Sequence, residues 1–425
     1  MTPPRLPPTL PGTSPVANGF ALKRDPLAFF QRLAREGEPL VRIELADRDI
    51  YFVNDLDLVR EILVVQEERF RKWAFNRSFR TIFGTGLIAS HGELHGQVQK
   101  TAQPSFRQSR LQDYARTMVC LTTEMMSSWS EGELNLSGEL IQLTLEIVGR
   151  VLLSRSLRDY SKRIIAASDT LQRFSNQLGA SAEIDRQYEA AAEDLTKITH
   201  ELVAARVGHA EDDDLFAHLL QVHSANGAQL NEELRTFILA GHVTSTNVLA
   251  AAFTLLAQNP AVEEKLHAEI AEVIGERAPA FEDIVRLPFC EKVVRETLRL
   301  FPPVWILGRE VAEEVNWGGY TLPVDAKLII SPWMFHHDAR FFDAPESFRP
   351  ERWNDAVPKF AFIPFSTGPR SCIGERFAMM EITLLLAAIA RRWKFRELSP
   401  PYDARWSPQI IYWPRRGVSL AATRR

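Results

Sequence analysis

Apolar residues first recur at helical spacing between Asp25 and Glu36, which predicts a short amphipathic helix. The next stretch, LVRIELADRDIYFVND (40–55), alternates apolar and polar positions. That period of two is what a half-buried hairpin requires. From about Leu111 to Ala257 the pattern is mostly helical. The longest predicted helix runs from about Asn231 to Ala257, NEELRTFILAGHVTSTNVLAAAFTLLA. Its middle is apolar on nearly every side, so it should cross a core rather than line a surface. Asn259-Pro260 ends it, because proline lacks the amide proton and clashes with the preceding turn. More helix follows to Leu300, where Phe301-Pro302-Pro303 stops it. Residues 304–332 read as short strands with WGGYTLP as a turn. Residues 338–364 are irregular and rich in Pro, Phe and Arg. One helix follows Cys372, and the tail is strand-like. The pattern predicts a mainly α protein with small β-sheets.

Composition narrows the classes. The chain has 425 residues, of which 45% are apolar and 24% charged, an ordinary globular balance. A net charge of −4 argues against a nucleic-acid partner. The three cysteines, Cys120, Cys290 and Cys372, are odd in number and far apart, which fits a reducing compartment better than a disulfide framework. No run reaches the roughly 18 consecutive apolar residues of a membrane span. The start, MTPPRLPPTLPGTSP, lacks the apolar core of a signal peptide and reads as a stiff, extended, proline-rich leader over residues 1–15. Residues 16–425 are expected to form one domain. The expectation is a cytoplasmic monomer, with peripheral membrane contact left open.

Candidate chemistry centres on FSTGPRSCIGERFA, residues 365–378. Gly368 and Gly374 let the backbone turn sharply and approach something flat. The run IGERFAMMEITLLLAAIARRW is a good helix former, so Cys372 stands at a helix N-terminus, where unpaired amides stabilise a thiolate. Arg370 adds positive charge. Such a thiolate suits a nucleophile or a metal ligand. No Cys-x-x-Cys partner exists to complete a zinc or iron–sulfur cage. An inert buried cysteine is the bland alternative.

The spacing Phe365-x-x-Gly368-x-Arg370-x-Cys372-x-Gly374 resembles the haem-binding loop of cytochromes P450. Other segments resemble the same family in the same order, from about Pro8 to the end. In ETLR, Glu296 and Arg299 stand at i, i+3 and can pair; with Arg352 of FRPERW they resemble the family's structural triad. In AGHVTS, Gly241 and Thr244 match the oxygen-binding motif of the long helix. The family's acid before that threonine is here Val243, which carries no proton. Proton delivery would fall to water ordered by Thr244, with Ser245 or Thr246, or to a different acid; His242 titrates in the right range. In GTGLIASHGELHGQVQ, His95 takes the place of a haem-propionate partner, while Gln99 stands where the family has arginine, and the neighbouring Lys100 would point elsewhere. His91 and His95 lie at i, i+4, but HGELH is not the His-Glu-x-x-His of a zinc site. In PPVWILGREV, Arg309 would join Arg370 as a propionate partner.

The resemblance implies the cytochrome P450 fold, with a long central helix and the cysteine loop on either side of haem b. Cys372 would be the iron ligand. Arg370, Phe365, Gly374, Arg309 and His95 would bind the cofactor, and Thr244 and Gly241 would be catalytic. The implied activity is insertion of one oxygen atom of O2 into a C–H bond of a hydrophobic substrate. Electrons would come from a ferredoxin or flavodoxin with an NAD(P)H-dependent reductase, and Arg376, Lys359, Arg107 and Arg110 could steer an acidic carrier. Candidate pocket residues are Phe83, Leu87, Ile88, Phe237, Ile238, Val243, Val304, Trp305, Ile306, Leu307, Ile410 and Ile411, all apolar. FPPVWILGRE and LIISPW resemble bacterial P450s that hydroxylate carotenoid end rings; fatty-acid and terpenoid substrates stay open. The alternative from another class is a haem protein that binds ligand without turnover, as a sensor or carrier.

Overall fold

The first hairpin forms where the alternation placed it, Leu40–Glu44 against Asp49–Val53, antiparallel with Leu40 opposite Val53. The computed structural model describes residues 6–10, 13–46, 48–73, 77–177, 180–206, 213–223, 227–400 and 403–425. It divides into two compact units, Met1–Phe75 with Val304–Ser347 and Asp355–Cys372, and Asn76–Pro303 with Phe348–Asn354 and Ile373–Arg425.

In the first unit the hairpin extends into a five-stranded sheet. Asp49–Val53 pairs in parallel with Lys327–Ile330, which pairs antiparallel with Leu307–Val311, which in turn pairs antiparallel with Phe70–Lys72. The helix Pro26–Arg35 is set by Asp25, whose carboxylate accepts from the Ala28 amide at 3.0 Å, and by Pro26 in the first turn. It buries Phe29, Phe30 and Leu33, and Phe30 stacks on Phe52 and Trp305 with centroids 5.2 and 6.0 Å apart. The described part of the leader is not a free arm. The Arg42 amide donates to the Pro8 carbonyl at 2.8 Å, Thr9 bridges to Arg42, and Leu10 is buried. Residues 1–5 and 11–12 of the leader lie outside the described residues. WGGYTLP makes the predicted turn: Val315–Trp317 pairs with Tyr320–Leu322 through Gly318 and Gly319, both at positive φ.

Among the described residues the second unit is helical, with two small sheets. Its axis is the helix Ala228–Gln258, buried around most of its length and packed against the helix Leu136–Leu152. By length and hydropathy it could cross a membrane, yet 78% of its most apolar window is buried inside the protein. This is the core-crossing helix that its all-round apolar pattern predicted. The helices Gln108–Ser127, Pro288–Leu300 and Glu375–Arg392 pack in the same unit. The last one continues into Trp393–Arg396, which joins Leu420–Arg424 and Gly132–Leu134 in a three-stranded sheet.

Candidate functional site

In the first unit the cysteine loop is closed by its backbone. The Cys372 amide donates to the Phe365 carbonyl at 2.9 Å, and the Ile363 amide donates to His336 Nε2 at 3.0 Å. Gly368 is obligatory on two grounds: its φ is +74°, and a Cβ there would sit 2.0 Å from the Leu63 carbonyl oxygen. Gly374 differs from expectation. Its φ of −90° is open to any residue, and it serves as N-cap of the helix that begins at Glu375. Cys372 therefore precedes the first turn rather than lying in it. Its residue is exposed, as is needed for a side chain that must meet a ligand.

Close to this loop in sequence and on the neighbouring sheet, positive charge accumulates. Strand pairing sets Lys72 directly opposite Arg309. Arg309 is buried; its Nη1 donates to the Gly308 carbonyl at 2.9 Å, and its Nε has no partner among the described residues. Arg370 Nε donates to Glu67 at 2.9 Å. Burial, then the charges of Arg309 and Arg370, lower the Lys72 ammonium to about 7. Burial, then Arg370, brings Arg309 down to about 10, with Glu67 opposing. Like charges directly opposite across strands destabilise a sheet, and buried cations gathered in this way favour an anionic ligand. A cofactor with two carboxylates meets that need, so these residues fit haem. Lys72 carried no sequence signal. It becomes visible only when the strand Phe70–Lys72 is paired with Leu307–Val311.

This arrangement predicts a pH dependence. In the cofactor-free protein the folded Lys72 loses its proton near 7, while an unfolded lysine keeps it to about 10.5. Across that window the unfolded chain binds more protons, so stability rises with pH, by up to about 1.4 kcal/mol per unit. A bound dianion raises the folded value toward the unfolded one and flattens the slope. Urea midpoints of cofactor-free and haem-loaded protein at about pH 7 and about pH 9 measure the difference. An equal shift in both forms would take Lys72 away from the cofactor.

In the second unit the long helix has one open stripe. Ala240, Gly241 and Thr244 are accessible, whereas His242, Val243 and Ser245 are buried. At about 100° per residue, positions i, i+1 and i+4 share one face. Thr244 Oγ1 donates to the Ala240 carbonyl at 2.7 Å, the back-bond expected of it. Gly241 is needed for close packing: the helix is continuous there, and a Cβ would sit 2.8 Å from Val148 Cγ2 of the adjacent helix. His242 is turned away from the stripe. Its Nδ1 bonds the Ile238 carbonyl at 2.6 Å, and burial lowers it to about 4, so it is neutral and no proton source near pH 7. Thr246 donates to the His242 carbonyl at 2.9 Å and bonds Thr144 Oγ1 at 2.8 Å, which ties it to the helix Leu136–Leu152.

The pocket candidates separate in the same way. Leu87 and Ile88 are half-buried, and the Leu87 amide donates to Glu233 Oε2 at 2.8 Å. Phe83 is buried against Phe79, and Phe237 stacks on Phe106 with centroids 6.2 Å apart. Ile238 and Ile411 are buried, while Val304, Ile306 and Ile410 are half-buried. Three further candidates are buried as well. Val243 is buried off the open stripe. Trp305 is turned into the core of the first unit against Phe30, with its carbonyl accepting from Ser331 Oγ at 2.9 Å. Leu307 is a buried strand residue paired with Ile330. His95 and Gln99 are half-buried on the helix Gly92–Ala102, and Lys100 is exposed. Of the basic residues proposed to steer a carrier, Arg110 pairs with Asp213, Lys359 lies over the Phe360 ring, and Arg107 and Arg376 are exposed.

The triad is present and larger than predicted. Glu296 accepts from Arg299 Nε and Nη2 at 3.0 and 2.9 Å and from Arg352 Nε at 2.8 Å. It also accepts from the Arg349 amide and Trp353 Nε1, both at 3.0 Å. The Arg295 guanidinium covers the Trp353 ring at 4.3 Å. The sequence FRPERW contained Trp353, but nothing in its spacing marked the indole as a donor to Glu296.

Comparison with known proteins gives a match of residues 7–412 to the family model described as Cytochrome P450. The chain is 30% identical to Cyclooctatin synthase of Streptomyces melanosporofaciens, over 94% of this chain and 92% of the relative. It is 31% identical to Cyclooctat-9-en-7-ol 5-monooxygenase of the same organism, over 91% and 89%. With Pentalenene oxygenase of Streptomyces avermitilis it shares 28% over 96% and 95%.

Proposed function

The chain belongs to the cytochrome P450 family, and from that premise we propose that it hydroxylates a terpenoid hydrocarbon or terpenoid alcohol. As a member of the family it is a monooxygenase that uses haem b, O2 and external electrons. The observation that carries the substrate class is the near full-length similarity to enzymes whose names specify cyclooctat-9-en-7-ol and pentalenene. The apolar character of Phe83, Leu87, Ile88 and Phe237 agrees with such a ligand. Carotenoid end rings, suggested by the segments around Trp305 and Ile330, are larger members of the same chemical class.

Haem bound through a thiolate supplies the activation of dioxygen. In our assignment Cys372 is that thiolate, on a loop whose shape is fixed by Gly368 and by the Cys372–Phe365 backbone bond. Arg309, Arg370 and Lys72 hold the two propionates, neutralising charge that would otherwise repel across the strands. His95 is proposed as a further propionate partner. The Thr244 hydroxyl, anchored on the Ala240 carbonyl, positions water on the open stripe of the long helix. The apolar side chains orient the substrate and exclude bulk water, which strengthens every polar interaction near it. The electron donor is a ferredoxin or flavodoxin with a nicotinamide-dependent reductase.

The test is a reconstituted assay with a surrogate ferredoxin and its reductase. A panel of cyclic terpene hydrocarbons, terpene alcohols, carotenoids and fatty acids is scored first for the spin-state change on binding, then for products one oxygen heavier. Terpenes and their alcohols are expected to give both. Product from fatty acids alone would reject the proposal, product from carotenoids alone would return the end-ring reading, and binding without product from any member would favour a carrier.

A further inference from the structure

The cations beside the cysteine loop have an acid of the chain itself among them, and the roles assigned so far leave it unused. Glu67 Oε1 accepts from Arg370 Nε at 2.9 Å. The Arg370 side chain is 7% exposed and that of Glu67 20%, so the arginine is held inside while the carboxylate keeps one edge in water. Glu67 owes its place to a local departure from the α-helix. The helix Leu56–Arg60 widens into a π-helical turn at Glu61–Val65, where the Gln66 amide donates to the Glu61 carbonyl at 2.9 Å. Such turns are frequent at functional sites. A 3-10 turn at Glu67–Arg69 follows, then the strand Phe70–Lys72. Residues 63–72 thus deliver the Leu63 carbonyl under Gly368, the Glu67 carboxylate onto Arg370, and Lys72 opposite Arg309. The neighbouring acids are placed otherwise: Glu61 accepts from Arg60 and Gln66, and Glu68 is exposed.

The charge count decides what this acid is for. Lys72, Arg309 and Arg370 bring three positive charges and Glu67 removes one, which leaves two. A haem brings two propionates. The filled site is therefore neutral with Glu67 and carries one surplus positive charge without it. Burial lowers both Arg309 and Arg370, and the Glu67 charge opposes that in each. A buried guanidinium without a counter-charge is costly. Before haem enters, the Glu67 carboxylate supplies that counter-charge to Arg370. In the loaded protein the propionates supply it, and the same carboxylate remains as a fixed negative charge behind the arginine that orients the cofactor.

Resting on the haem reading of this loop, we propose that Glu67 is a positioning residue that stands in for a propionate on Arg370 while the protein is without haem, and that holds the reduction potential of the iron down once haem is bound. A negative charge fixed near the cofactor disfavours the arrival of an electron. Glu67 stabilises the cofactor-free protein more than the loaded one, because only the first lacks another anion for Arg370. By linkage the same residue weakens haem binding. It acts through Arg370 and takes part in no bond-making step.

Glu67→Gln tests this, since it keeps an oxygen acceptor for Arg370 Nε and removes the charge. In the holoenzyme the midpoint potential, read by spectroelectrochemical titration, should shift to more positive values. Loss of haem to an excess of apomyoglobin should slow by up to about 5-fold, the size of one partly exposed ion pair. In cofactor-free protein at about pH 6, where Lys72 is protonated, the urea midpoint should fall, while that of the haem-loaded variant stays at the wild-type value. Glu67→Asp, which keeps the charge on a shorter stem, should hold the potential near that of the wild type. A contact that served structure alone would lower both urea midpoints equally and leave the potential unmoved. That result would overturn the proposal, as would haem loss that quickens in Glu67→Gln. A wild type without the sulfur-ligated ferrous carbon-monoxide spectrum would instead overturn the haem reading on which it rests, whatever the Glu67 variants do.

Discussion

Replacing Cys372 by alanine is expected to abolish oxygenation, reducing product to the level of the assay without enzyme. The purified variant should lose the red-displaced Soret band of the ferrous carbon-monoxide complex that marks sulfur coordination. The fold should survive. The loop is closed by the Cys372 backbone amide on the Phe365 carbonyl and by the tight fit of Gly368 under Leu63, neither of which involves the thiol. Loss of activity with the circular dichroism and melting profile retained would assign the thiolate a chemical role. A variant that kept the band would place the iron ligand elsewhere and remove the basis of the mechanism. The corresponding changes at Cys120 and Cys290 should leave the spectrum unaltered, because neither lies on this loop.

Glu296→Ala should destabilise the fold far more than Cys372→Ala does. The carboxylate is fully buried and receives five hydrogen bonds, three of them from guanidinium groups of Arg299 and Arg352. Removing it takes this counter-charge from two buried cations, which costs about 3–5 kcal/mol. Total stability of a domain is only about 5–15 kcal/mol. The expected result is a collapse of soluble yield or a large drop in urea midpoint, in cofactor-free and haem-loaded protein alike. Glu291→Ala, an exposed change on the same helix, should stay within about 0.5 kcal/mol. A loss below about 1 kcal/mol for Glu296→Ala would show that this network does not hold the corner between the helix Pro288–Leu300 and residues 348–354.

Lys72 and Cys372 illustrate what a sequence can and cannot disclose. The cysteine was legible because its loop is a short, contiguous pattern of glycines and an arginine, whose backbone demands are local. Lys72 was not, because its neighbour Arg309 is brought beside it by strand pairing between remote segments. The triad was legible as far as Glu296, Arg299 and Arg352, each inside a recognisable spacing; the Trp353 donor was not. Gly241 was found as part of a local motif, while the structure gives a tertiary reason for it, the approach of Val148. His242, Val243 and Trp305 were assigned by residue type and sequence neighbourhood. The structure buries all three, His242 against the Ile238 carbonyl and Trp305 against Phe30, and that burial is set by the direction in which each element faces.

The sequence by itself determined the helical and strand periods, the hairpin at 40–53, the long helix ended by Asn259-Pro260, and the family to which the cysteine loop belongs. These follow from backbone preferences and from side chains spaced within one or two turns, so they are written where they act. Only the tertiary structure decided which face of the long helix is open and that three cations share one site with Glu67. Those facts depend on burial and on charges meeting across long sequence separations. Both are set when distant segments pack, and no local pattern encodes them.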